Sequence, residues 1–92
     1  MLDRIDTNPT ERVAQLVRVL FARRSIDRLV GYEDVLSECG LSSLDMVNLM
    51  LAVETEFDIK IPDRDMTPSN FRSIAQIDKL VGALLRSDQQ VG

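Results

Sequence analysis

Three apolar stripes at helical spacing, separated by proline and glycine punctuation, most constrain what this 92-residue chain can fold into. Val13, Leu16, Val17, Leu20 and Phe21 form the first; Met46, Leu49, Met50, Val53 and Phe57 form the second. Ile74, Ile77, Leu80, Val81, Leu84 and Leu85 form the third. Residues recurring at intervals of three and four share one side of a helix that turns about 100° per residue. Strand-like alternation is confined to the short stretch 58–61. Helices with one apolar side each bury those sides together, so the expected fold is all-α, a small helical bundle.

Local signals place the elements. Asn8 can cap the first helix, with Pro9 at its first position and Glu11 completing an Asn-x-x-Glu box. Its end is expected near Arg23 and Arg24, where cations suit the C-terminal dipole. Residues 25–42, punctuated by Gly31 and Gly40, form a long connection whose Ile26, Leu29, Val30, Val35 and Leu36 are expected to pack on the bundle. Long connections in small domains are often functional. The second helix is expected from Ser43 to Phe57, and Pro62 keeps it from continuing by biasing Ile61 away from helical geometry. Thr67 and Pro68 look like the cap and first residue of a very short helix through Phe71, and Ser73 with Gln76 opens the last helix. The expectation is a four-helix bundle of three longer helices and one short one. It forms a single domain over residues 1–92, with a helical core over about 9–86 and flexible tails at both ends.

Composition removes several functions. Cys39 is the only cysteine and there is no histidine, which excludes an internal disulfide and argues against a zinc site or a Ser-His or Cys-His nucleophile. Cys39 itself reads as a small buried hydrophobe. The four glycines are scattered, so no phosphate-cradling loop is present. The chain is therefore not expected to be an enzyme or to hold a metal. No apolar run approaches the roughly 20 residues of a membrane span. The first six residues carry acids and no apolar core of a signal peptide, so a cytoplasmic protein without membrane contact is expected.

The net charge of −4 is unevenly spread: residues 31–70 hold nine acids against two bases, a net of −7, while 1–30 carry +2 and 71–92 carry +1. Such an acidic middle repels nucleic acid and favours partners with basic surfaces. The second helix also has a second apolar side. With Met46 set at zero, Val47, Leu51 and Leu44 fall at about 100°, 140° and 160°, away from the core stripe. A small bundle has one core, so this second stripe is either covered by the long connection or exposed as a docking patch. Ser43 and Glu54, at about 60° and 80°, border it.

The run from Gly40 to Asp63 reads GLSSLDMVNLMLAVETEFDIKIPD. It resembles the acyl carrier protein family, whose signature is a Gly-x-Asp-Ser-Leu run opening the second helix. Gly40, Ser43 and Leu44 match that signature, and Val47, Leu49, Glu54, Glu56 and Phe57 match the second-helix pattern. Ile61, Pro62 and Asp63 match the turn after it; Thr67, Pro68 and the Phe71-Arg72-Ser73-Ile74 run resemble the third helix and the start of the fourth. The resemblance implies a fold of acyl-carrier type, in which Ser43 receives a covalent 4′-phosphopantetheine arm from coenzyme A through a separate phosphopantetheinyl transferase. The arm's thiol would then hold cargo as a thioester. It further implies that Ser42, Leu44, Val47, Leu51 and Glu54 face partner enzymes: a loading ligase and a downstream transferase, visited by a monomeric carrier.

Ser42 stands where the family usually has aspartate, and the first helix bears arginines, which points to a dedicated partner set. Bacterial aminoacyl carrier proteins, loaded by synthetase-like ligases that use ATP, are similar in size and style. A specialised acyl carrier for lipid or secondary-metabolite synthesis is the alternative, and a helical interaction module without an arm is a third.

Overall fold

The structure is a computed structural model that describes residues 8–90, and side-chain environments through residue 86. Among the described residues the chain is all-helical: α1 (Pro9–Arg23), α2 (Ser43–Phe57) and α3 (Ile74–Gln90), with 3-10 turns at Leu36–Cys39 and Asp63–Asp65. α3 continues through Gln90, past the helical boundary expected near residue 86. Residues 1–7 and 91–92, where tails were expected, lie outside the described residues.

α1 starts as its sequence dictates, with the Asn8 side chain accepting a 2.8 Å hydrogen bond from the Glu11 N–H. It packs against both other helices. Val13, Val17 and Phe21 from α1 meet Leu49, Met50, Val53 and Phe57 from α2 and Ile74, Ile77 and Val81 from α3 in one buried core. Leu16, Leu20, Met46, Leu80, Leu84 and Leu85 stand at its margin, half-buried. Leu36, Leu41, Ile61 and Phe71, all from outside the α-helices, complete the core and are themselves buried.

The long connection is laid on the bundle by backbone hydrogen bonds as well as by Leu36. The Leu36 N–H donates to the Arg72 carbonyl at 2.8 Å, and the Ala75 N–H to the Tyr32 carbonyl at 2.9 Å. The Tyr32 hydroxyl donates to Asp78 on α3, which also accepts from Thr10 on α1, so three segments meet at one carboxylate. Leu29, expected to pack down, is 92% exposed. The Arg28 guanidinium bonds the Leu29 carbonyl and the Asp34 carboxylate, shaping a tight bend with Leu29 at its outside.

Two further boundaries have local causes. α2 ends at Asp58, whose left-handed φ of 54° is tolerated by aspartate and whose N–H caps the Glu54 carbonyl. Pro62 acts only after the helix has stopped. The short helix expected over 67–71 takes the form of successive turns, with Asn70, Phe71 and Arg72 donating to carbonyls three residues back. Phe71 within these turns is fully buried, and Ser73 follows them directly at the start of α3. Ser73 opens α3 as expected, its hydroxyl accepting from the Gln76 N–H at 3.2 Å.

Candidate functional site

α2 begins with two serines that have different duties. Ser42 is the N-cap: its hydroxyl oxygen accepts from the Asp45 N–H at 3.1 Å, and the Asp45 carboxylate accepts from the Ser42 N–H at 2.8 Å. This reciprocal capping box satisfies helix-start donors that would otherwise lack partners. Ser43 is the first residue inside the helix and is exposed. Because the cap engages Ser42, the Ser43 hydroxyl stands at the surface beside the positive end of the helix dipole, where phosphate is favoured.

The approach to this serine is set by Gly40. Its φ of 114° lies in the region that L side chains rarely adopt, and an added Cβ would sit 3.4 Å from the Ile26 side chain. The turn it makes carries the chain from the buried Leu36 and the half-buried Cys39 into the buried Leu41 and the cap. Cys39 packs against the core, in line with its reading as a small hydrophobe.

The second apolar stripe of α2 is exposed: Leu44 by 69%, Val47 by 46% and Leu51 by 52%. The long connection does not cover it. A solvent-open groove of about 420 Å³ starts at Ser42 and Ser43 and runs between Met46, Val47 and Met50 on α2 and the 68–72 turn. The site thus offers an exposed hydroxyl, a helix start suited to a phosphate group and an adjoining groove.

Glu54 behaves differently from the other residues expected at this surface. It is half-buried, and its carboxylate accepts a 2.7 Å hydrogen bond from the Ile61 N–H, holding the segment after α2 in place. Asp45 is the residue that sequence reasoning missed. It is only 5% exposed and its Oδ2 lies 3.2 Å from the Arg24 Nε. The hydrogen bond from the Ser42 N–H holds its carboxyl below the ordinary aspartate range against the opposing effect of burial, with help from the Ser42 hydroxyl and the Arg24 charge. The available signal was an acid three residues after a helix-opening serine. Among the described residues no cluster of metal-ligating side chains is present, and no helix is long and apolar enough to cross a membrane.

The family described as "Phosphopantetheine attachment site" matches residues 11–77, and the chain belongs to this family. The group that the family attaches is 4′-phosphopantetheine. Aminoacyl carrier protein 1 of Bradyrhizobium diazoefficiens is 38% identical over 76 residues, covering 83% of this chain and 84% of that protein. Aminoacyl carrier protein 2 of the same organism is 40% identical over 74 residues, covering 80% and 83% respectively. The fold is similar to one in the crystal structure of Bradyrhizobium japonicum glycine:[carrier protein] ligase complexed with cognate carrier protein and an analogue of glycyl adenylate. The TM-score is 0.74 at 35% identity, over 82% of this chain and 96% of that one.

Proposed function

We propose that this chain is an aminoacyl carrier protein holding its cargo as a thioester on a 4′-phosphopantetheine arm attached to Ser43. The observation that carries the reading is the division of labour between the two serines: Ser42 caps α2 and Ser43 stands exposed just inside it. The arm, when bound, supplies the thiol that bears the cargo. The protein's own residues supply the attachment oxygen, the helix start and the groove beside it; it acts as a carrier and not as an enzyme.

Amino-acid cargo is supported by the two aminoacyl carrier relatives and by the likeness to a carrier crystallised with a glycine:[carrier protein] ligase. The partners are a phosphopantetheinyl transferase, an ATP-dependent aminoacyl ligase and a downstream acceptor enzyme. They meet a monomeric, cytoplasmic, single-domain carrier at Leu44, Val47 and Leu51, with Ser42 and Glu54 at the border. The turns at 67–71 stand in the place of the short helix of a four-helix carrier.

Intact mass after co-expression with a broad phosphopantetheinyl transferase tests the attachment. Wild type and Ser42→Ala are expected to gain the arm, and Ser43→Ala to gain nothing. An unmodified wild type would leave a helical interaction module as the reading, and a modified Ser43→Ala would move the site. Loading of the armed protein by long acyl groups alone, with no amino acid accepted, would overturn the aminoacyl assignment.

A further inference from the structure

We propose that Arg24 is a positioning residue for modification of Ser43, acting through Asp45 and not through contact with the incoming group. The proposal rests on Ser43 being the attachment point and adds a residue from a different helix to the site.

One oxygen gathers the relevant contacts. Oδ2 of Asp45 accepts from the Ser42 N–H at 2.8 Å and from the Ser42 hydroxyl at 3.0 Å, and lies 3.2 Å from the Arg24 Nε. A carboxylate that is 5% exposed stays ionised only where donors and a cation compensate for lost water. Asp45 has both, and the cation comes from the end of α1.

That end is firmly built. Arg24 is the C-cap of α1, with its N–H 3.1 Å from both the Leu20 and the Phe21 carbonyls. Ser25 follows at a left-handed φ of 57°, and the Ile26 N–H returns to the Phe21 carbonyl at 2.9 Å. Ile26 lies near the attachment run, where a Cβ added at Gly40 would come within 3.4 Å of its side chain, while Arg24 meets the run at Asp45. The terminus of α1 therefore flanks the Gly40-to-Asp45 run and holds it at Asp45, two residues after Ser43.

Asp45 follows Ser43 by two residues, about 160° around α2, and its carboxylate folds back onto Ser42, so the contact of the Arg24 guanidinium with the helix start is made through the capping carboxylate. During modification, Ser43 Oγ forms a bond to the β-phosphorus of coenzyme A. The phosphoanhydride bond to adenosine 3′,5′-bisphosphate breaks, and the hydroxyl proton leaves to a base on the transferase. A first turn that is less firmly held presents this oxygen less often in the reactive geometry, which lowers kcat more than it raises KM.

The test is the rate of phosphopantetheine transfer to the full-length chain, followed by intact mass, for Arg24→Gln, Arg24→Lys, Asp45→Asn and the Arg24→Gln/Asp45→Asn pair. Arg24→Gln should lower kcat about two- to five-fold with KM little changed, and Arg24→Lys should restore most of it. In the Asp45→Asn background Arg24→Gln should cost nothing further, the signature of two residues acting as one unit. Losses that add in the double variant, or a KM effect that grows at low salt, would mean that Arg24 touches the transferase and would overturn the proposal. Amide hydrogen exchange gives a readout free of any transferase and of Asp45→Asn folding. The Asp45 N–H should exchange faster in Arg24→Gln while the Val53 N–H in mid-α2 is unchanged; equal protection at Asp45 would also overturn it. A wild-type chain that takes no arm would refute the attachment reading, and the exchange data would still decide the Arg24–Asp45 coupling.

Discussion

A carboxylate that accepts two hydrogen bonds from Ser42 and faces the Arg24 guanidinium is held in its charged form, and the stability of the α2 start therefore depends on pH. Because the folded value lies below the unfolded one, the Asp45 contribution is fully present above the ordinary aspartate range. It is lost as the pH falls through the folded value. Wild type is expected to exceed Asp45→Asn in unfolding free energy by a constant amount between pH 5 and 8, with the gap closing below about pH 4. Chemical denaturation at a series of pH values measures this; a gap that persists undiminished to pH 3 would show that the charged form is not what the cap uses. The start of α2 at Ser43 was legible in the sequence because capping signals act within a few residues. Asp45 was not, because its role depends on burial and on a cation from another helix, neither of which the spacing of one element reveals.

The elements divide along the same line. α1 and α2 begin and end where their caps and apolar periods place them, since those signals act within a few residues. The exposed stripe of α2 was legible as a conflict, two apolar sides on a helix with one core. That the connection leaves it uncovered was not, because the 25–42 segment is held by pairs such as Leu36 with Arg72 that are distant in sequence. The same reasoning missed the short bonded turns at 67–71 and the inward carboxylate of Glu54, both of which serve chain segments outside their own element. Val47 stands outside the buried core and is 46% exposed, so Val47→Asp should change unfolding free energy by no more than about 0.5 kcal/mol. It should nonetheless abolish loading of the armed protein by its ligase. Far-UV dichroism and a loading assay on the same sample check both halves; a loss of helicity would place Val47 in the core.

At the scale of the molecule, α1 packs against both α2 and α3, while Arg12 locks it to the far end of α2. The Arg12 side chain bonds both the carboxylate and the carbonyl of Glu56 and lies 4.4 Å from the centre of the Phe57 ring. The charge asymmetry read from the sequence keeps its meaning here: the net −7 of residues 31–70 spans all of α2 and its flanks. Charged partners meet faster where fields are complementary, and salt shortens the reach of those fields to about 10 Å at 0.1 M. Association with the transferase and ligase should therefore slow as salt is raised, mostly through the on-rate; stopped-flow measurement between low and physiological salt tests this, and a salt-independent on-rate would assign docking to the apolar stripe alone. The paired serines at the head of α2 have one more consequence under the proposed chemistry. With the Ser42 hydroxyl already engaged, each molecule has a single berth, so the number of chains in a cell sets an upper limit on the cargo in transit. Demand beyond that limit could be met only by faster turnover or by more protein.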